Sequence, residues 1–335
     1  VRKVPRPTYH SIAARAQVGT ATVERVLNGR GGVLPETAMK VVAAARALDW
    51  PGRLPERHRG ILRLEVLLVR PDTSFFVRLS QAFQRIAATL DRSVQLAITF
   101  LDEADPSAIA RRIANAPLPR AGLVVAAPDS EAIRLALRGV IRDGLPVVQV
   151  VSRIAEEADF VGIENYAAGR TAAFMLSRMC RTEGPVLALC HSGSYEVHRA
   201  RLRGFSDYLQ DHPAPGLQFV LAAFGQDSRD VTARRLREAL RDWPDLAAIY
   251  NAGGANTAVF STLAHQARHV FFVGHELTDD SSRALKSGVA DVVLDQMPEA
   301  QARRAVDILL SRLGLTDIVI ENPPIRFTTI TAENI

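Results

Sequence analysis

The sequence predicts a small all-α headpiece followed by a two-lobed α/β domain built on parallel sheets. Three observations carry this expectation. Residues 8–50 show helix-period apolar stripes and no strand pattern. From Leu64 onward short β-branched runs alternate with helical stretches. A basic segment rich in Pro and Gly separates the two regimes. The 335 residues exceed what one small domain needs, and a hydrophobic content of 47% supports sizeable cores.

In the headpiece, Ile12, Ala13 and Ala16 form one apolar stripe, and a tight Gln17-Val18-Gly19 turn follows. A second helix then carries Val23, Val26 and Leu27 at i, i+3, i+4 and ends at Asn28-Gly29. Two short helices joined by a turn of about three or four residues make a helix-turn-helix, whose second helix lies in the DNA major groove. At about 100° per residue, packing the valines inward turns Thr20, Ala21 and Arg25 outward together. Charge supports the same reading. Residues 1–63 hold twelve Lys/Arg and four acids, a net +8; the whole chain carries +5, which leaves −3 for residues 64–335. A positive field confined to this piece suits a phosphate backbone, whereas a bundle that only packs against a larger domain has no need of it.

After Trp50 the run from Pro51 to Gly60 is basic and punctuated by Pro and Gly, so the domain boundary is placed there. The expected division is a headpiece over 1–50, a hinge linker over 51–61 and a larger domain over 62–328. In the larger domain the strand candidates are 64–69, 94–100, 122–126, 146–151, 160–163, 185–190, 218–223, 247–250, 270–273 and 291–295, with helix-period segments at 76–90, 108–115, 168–180, 199–210 and 229–240 among the intervening stretches. Strands alternating with helices imply parallel sheets with helices on both faces. So many strands exceed one tidy sheet, so two lobes with a cleft are expected, the first over about 62–162 and 296–328 and the second over about 163–295. Ligands in such sheets sit beyond the carboxyl ends of the strands. Asp72, Phe75, Phe76, Ser152, Arg153, Asn165, Arg199, Asn251, Glu276 and Gln296 all follow strand ends and are the candidates for lining that cleft.

Residues 8–50 resemble the headpiece of the lactose-repressor family of bacterial transcription regulators. The matching run is Thr8, Ile12-Ala13, Ala16-Gln17-Val18-Gly19, Thr22-Val23-Glu24-Arg25-Val26-Leu27-Asn28 and Leu48-Asp49-Trp50. The resemblance adds Thr8, Thr22 and Asn28 to the DNA-binding candidates. It also implies a linker that folds as a hinge helix on operator DNA and levers a Leu into the minor groove, here Leu54 beside Arg53 and Arg57. Three departures stand out. Gly19 replaces the usual Ser/Thr N-cap, at a cost of only a few tenths of a kcal/mol; Glu24 sets an acid beside the reading face; and Pro55 sits where it could only open a helix.

Residues 62–328 resemble the type I periplasmic sugar-binding fold, which that family uses as its effector domain. The resemblance implies that Phe75 and Phe76 clamp a sugar ring, that Arg199 is the family's Arg after the sixth strand, and that Glu276 and Gln296 are its late acid and amide. Ser152 stands where sugar-binding relatives often carry Asp, and Asn251 or Asn256 would take over from the usual Asn-Asp pair. The implied protein is a cytoplasmic repressor of carbohydrate catabolism or uptake genes. It would bind a palindromic double-stranded operator as a homodimer and respond to a small sugar or polyol held between the lobes. A phosphorylated sugar or a nucleobase is also open as effector, and a periplasmic-type sugar receptor is the alternative for the whole chain. The first-lobe helix with Leu79, Phe83 and Ile86 is a candidate dimer contact, or else simple intralobe core. No heptad pattern follows in the sequence up to Ile335, so a tetramer of the leucine-zipper kind is not expected.

Other classes fit poorly. Two cysteines, Cys180 and Cys190, suit a reducing compartment. The basic start lacks the apolar core of a signal peptide, and no stretch approaches eighteen uninterrupted apolar residues, so no membrane span is expected. His275-Glu276-Leu277-Thr278-Asp279 begins like a zinc-protease helix, but Asp279 occupies the place of the second histidine. There is no nucleophile elbow, Walker loop or dinucleotide fingerprint, so neither enzyme chemistry nor a cofactor or metal is expected. If Arg53, Arg57 and Arg59 contact phosphates, replacing them with Gln will weaken binding to all DNA sequences alike. The slope of log affinity against log salt will shallow by about 0.9 per lost contact. A salt titration in which the slope stays put would make the linker a passive spacer.

Overall fold

The computed structural model describes residues 7–28, 30, 32–48, 50–51, 61–190, 195–225, 228–316 and 318–335. The chain divides into two compact units, Val1–Gly60 and Ile61–Ile335.

The first unit contains α1 (Tyr9–Ala16), α2 (Thr20–Leu27) and α3 (Pro35–Ala47). Thr8 opens α1 with a reciprocal cap: its hydroxyl accepts from the Ser11 amide at 3.2 Å, and the Ser11 hydroxyl accepts from the Thr8 amide at 2.8 Å. Gln17 closes the helix in the left-handed region, at φ 54°, and its amide returns to the Ala13 carbonyl. Gly19 starts α2 without a side-chain cap. Ile12, Ala13 and Ala16 pack with Val23, Val26 and Leu27 and with Val41, Val42, Ala44 and Ala45 of α3. Tyr9 and Trp50 close this small core, with ring centroids 5.3 Å apart.

The second unit begins with a five-stranded sheet of β1 (Leu62–Val69), β2 (Val94–Leu101), β3 (Gly122–Val125), β4 (Val147–Val150) and β5 (Asp159–Val161). Its order is β2-β1-β3-β4-β5 and every pairing is parallel. The helices α4 (Ser74–Ala87), α5 (Pro106–Ala114) and α6 (Glu131–Arg142) alternate with these strands. Residues 64–69 of β1 are all buried, as a parallel sheet covered on both faces demands. After α7 (Asn165–Met179), the second lobe continues as β6 (Gly184–Cys190), α8 (Glu196–Asp211), β7 (Leu217–Phe224), α9 (Arg229–Asp242) and β8 (Ala248–Asn251). It ends with α10 (Asn256–Leu263), β9 (Phe271–His275), α11 (Asp279–Lys286) and β10 (Val292–Asp295), after which α12 (Pro298–Arg312) returns to the first lobe and β11 (Thr328–Ile330) joins the second sheet. The second sheet runs β11-β10-β9-β8-β6-β7.

Each of the ten strand runs named from the sequence coincides with a strand. The eleventh, β11, was not anticipated. It pairs antiparallel with β10, so Thr328 already belongs to the second-lobe sheet, while α12 packs back on α4 and the first-lobe strands. Three residues are too few for an alternation signal to show in sequence. Leu79, Phe83 and Ile86 are buried in the first-lobe core, which removes that stripe as a candidate dimer contact. The expected hinge helix falls on 52–60, outside the described residues.

Helices α7 and α8 touch backbone to backbone. A Cβ placed on Gly169 would collide with the Arg201 carbonyl, and one on Gly204 would collide with the Tyr166 carbonyl. Alanine normally favours a helix over glycine by about 1 kcal/mol, but here no flexible side chain can give way. Gly169→Ala should therefore destabilise the larger unit, by about 1–3 kcal/mol as for other overpacked cores. The check is the urea midpoint; a midpoint at or above wild type would mean that the helices part freely.

Candidate functional site

On α2, Thr20, Ala21, Glu24, Arg25 and Asn28 are exposed and Thr22 is half-buried, while Val23, Val26 and Leu27 are sealed inside. Thr20, Ala21 and Arg25 thus lie on the outer side of the helix. Glu24 pairs with Arg30 at 3.5 Å; both are well exposed, so the pair is worth little. Thr8 is exposed, with its hydroxyl engaged in the α1 cap. Arg53, Leu54 and Arg57 lie outside the described residues.

In the larger unit, the carboxyl ends of the second-lobe strands converge on one guanidinium. Arg201, on α8, is 3% exposed. Its Nε donates to Asn165 Oδ1 at 2.9 Å, one terminal nitrogen to the Ala252 carbonyl at 2.8 Å, and the other to Gln296 Oε1 at 2.5 Å. The Gln296 amide nitrogen donates onward to Glu276 Oε1. Glu276 Oε2 receives Arg78 Nη1 at 3.3 Å, and the same guanidinium holds Asp295 at 2.5 Å and Glu299 at 3.2 Å. Arg78 belongs to α4 of the first lobe, whereas Glu276 follows β9 and Asp295 ends β10 of the second, so this cluster ties one lobe to the other.

Electrostatics follows burial. Removal from water pushes the Glu276 carboxyl up, and Asp295 nearby adds to this; Arg78, Gln296 and Arg201 oppose it, and the result is about 7. Burial works against Arg78, but Asp295, Glu276 and Glu299 outweigh it and hold the guanidinium above its ordinary value. His275 is driven well below the ordinary histidine value by burial, then by Arg201 and His198, and is neutral. One of its ring nitrogens meets the Tyr250 hydroxyl at 2.9 Å; the other, Nδ1, has no hydrogen-bond partner among the described residues. Near the first-lobe edge Arg70 pairs with Glu103 at 3.4 Å, and burial and Glu103 push the Tyr195 hydroxyl of the second lobe up.

Ser152 is 1% exposed and its hydroxyl has no hydrogen-bond partner among the described residues. Its loop is fixed from behind by Gln149, whose carboxamide oxygen accepts from the Ile154 and Ala155 amides and whose nitrogen donates to the Ala155 carbonyl. Phe75 and Phe76 are buried and meet edge to face, centroids 5.4 Å apart, one turn before Arg78. Five residues at these strand ends and loops, Arg70, Val151, Ala255, Glu276 and Met297, hold positive φ between 56° and 74° without being glycine.

The structure thus brings Asn165, Glu276 and Gln296 together and sets Ser152, Phe75 and Phe76 at strand ends or just beyond them. Three candidates stand in solvent, apart from that buried cluster. Arg199 is exposed, because the buried stripe of α8 is Val197, His198, Arg201, Gly204, Phe205 and Tyr208, and Arg199 falls off it. Asp72 is exposed in the turn before α4. Arg153 is exposed, pairs with Glu156 at 3.2 Å and lies over the Phe160 ring. Asn251 is buried but spends its side chain on its own loop, bonding the Gly254 carbonyl, Asn256 and the Gly253 amide. Arg78 and Arg201 went unnoticed in the sequence. The α8 stripe, read at helical spacing, would have pointed to Arg201; nothing in the sequence names the partners of Arg78.

Residues 8–51 match the family model of bacterial regulatory proteins, lacI family, and residues 65–314 match that of the periplasmic binding protein domain. The chain belongs to the lacI family of bacterial regulators. It is a DNA-binding regulator whose larger part is a periplasmic binding protein domain, and both parts are binding and regulatory rather than enzymatic. No curated protein matches the chain. Among solved structures, a glucose-galactose binding protein from Geobacillus stearothermophilus is 17% identical, with a TM-score of 0.72 over 82% of this chain and 99% of that one. A solute binding protein from Burkholderia graminis in complex with D-arabinose is 16% identical, with a TM-score of 0.73 over 83% and 98%. A third, from Actinobacillus succinogenes with bound D-allose, is 18% identical, with a TM-score of 0.70 over 82% and 98%. These likenesses establish the shared two-lobed fold. No helix among the described residues is long and apolar enough to cross a membrane, and no group of three His, Cys, Asp or Glu among them could hold a metal ion.

The raised Glu276 carboxyl has a measurable consequence. Its folded value of about 7 exceeds the ordinary 4.5, so the folded protein binds this proton more tightly than the unfolded chain does. The Glu276 contribution to stability must then fall as pH rises from about 4.5 to about 7 and level off above. Melting temperatures of wild type and Glu276→Gln across that range should converge toward the acid end and diverge toward neutral pH, with the wild type losing ground. A pH-independent difference would place the carboxyl in water.

Proposed function

We propose that the chain is a cytoplasmic repressor of carbohydrate catabolism or uptake genes. It acts as a homodimer on a palindromic operator and is controlled by a small sugar-like effector bound between the two lobes. The observation that carries this reading is the buried set Asn165, Arg201, Gln296 and Glu276 at the strand ends, linked to the other lobe by Arg78, in a chain that also bears a helix-turn-helix. Carboxylate, guanidinium and amide groups beside the Phe75–Phe76 pair suit a ligand rich in hydroxyls, since charged groups strengthen each hydrogen bond. The fold neighbours solved with D-arabinose and D-allose support the same class. A receptor for transport would have no use for the headpiece.

Control works by linkage. An effector that prefers one arrangement of the lobes shifts operator affinity by its differential affinity for the two arrangements, and a two-fold dimer matches two half-sites. Two substitutions test the two halves of this reading. Arg25→Ala should relax specificity at one base pair per half-site, where a bidentate guanine contact is worth about 1–3 kcal/mol of discrimination; unchanged footprints and selectivity would remove Arg25 from the reading face. Glu276→Gln keeps the shape and deletes a charge-assisted acceptor, so affinity for a sugar found in a thermal-shift screen should drop about ten- to a hundred-fold. A variant that binds and responds to that sugar as wild type does would move the pocket elsewhere.

A further inference from the structure

We propose that Arg201 is the seat of an anionic group of the effector, so that the molecule recognised is an acidic sugar: polyhydroxylated and carrying one carboxylate or phosphate. This rests on the effector pocket proposed above and narrows its ligand class.

The inference comes from charge pairing. A guanidinium keeps its charge at any physiological pH, and burying that charge without a counter-ion is costly. Arg201 is almost wholly buried, yet its three partners, the Asn165 amide, the Ala252 carbonyl and the Gln296 amide, are all neutral. The other arginines around the cleft differ. Arg70 holds Glu103, Arg78 holds Glu276, Asp295 and Glu299, and Arg153 holds Glu156. No carboxylate among the described residues forms an ion pair with Arg201. Glu276, reached through Gln296, is already shared with Arg78, and both it and Glu196 act on Arg201 only through space, without an ion-pair contact.

Donor capacity agrees. Of five guanidinium N–H groups three are engaged, which leaves one on each terminal nitrogen, the number that a bidentate carboxylate or phosphate takes up. Burial lowers the affinity of Arg201 for its proton, which an arriving anion would reverse. The partnerless Ser152 hydroxyl at the end of β4 adds a neutral donor, and places no second negative charge there.

The test is calorimetric titration of the full chain with neutral sugars and their acids altered only at C6: D-glucose against D-glucuronate and D-glucose 6-phosphate, and D-galactose against D-galacturonate and D-galactose 6-phosphate. At least one acid should bind ten-fold or more tightly than its neutral parent, and the carboxylate and phosphate arms decide which anion is meant. Arg201→Gln should erase that preference, and Arg201→Lys, which keeps the charge, should retain part of it. Affinity for a carboxylate-bearing sugar should also rise as pH falls from 8 to 6, because Glu276 then takes up a proton and repels the anion less. A neutral parent that binds as well as its acids overturns the inference and leaves the sugar pocket standing. No binding by any member of the panel overturns both.

Discussion

The strand-end face of the second lobe depends on a guanidinium that has been taken out of water. Arg201 joins three separate chain segments: the start of α7, the end of β8 and the end of β10. It can do so only because α8 lies directly on α7, and that approach exists because Gly169 and Gly204 carry no side chain. Two glycines in the α7–α8 contact thus set the depth at which the guanidinium is held. Gln149 does the equivalent work in the first lobe, where one carboxamide replaces the missing ladder partners of the β4–β5 loop.

Arg78 plays a different part. Its guanidinium is half-buried and faces two nearly buried carboxylates of the opposite lobe. Separating the lobes would cost these ion pairs but return the same groups to water, and for buried pairs the two terms nearly cancel. The Arg78 pairs therefore orient the two lobes more than they hold them together.

Much of this was legible in the sequence, because parallel strands buried on both faces announce themselves as apolar runs, and the α2 stripe separates an inner from an outer face without ambiguity. What was missed shares a cause. Asp72 and Arg153 follow strands and are polar, yet chain position says nothing about direction, and both face water. Arg199 and Arg201 differ by two residues, about 200° around a helix, so a motif aligned by eye selects the exposed one where the burial period of Val197, Phe205 and Tyr208 selects the buried one. Arg78 meets Asp295 across 217 positions of sequence, a pairing that only the folded lobes bring about.

The strand-end residues with positive φ carry an evolutionary consequence. Val151 is β-branched and Glu276 is buried, and neither side chain belongs comfortably in the left-handed region. Selection for thermal robustness alone would favour glycine or asparagine at such positions. Each exchange would relax the backbone and, at Glu276, delete the carboxylate that Arg78 and Gln296 share. Robustness and the contact between the lobes therefore pull against each other at that peptide. A chain that gave up this carboxylate would recover part of the lost foldedness from its own backbone.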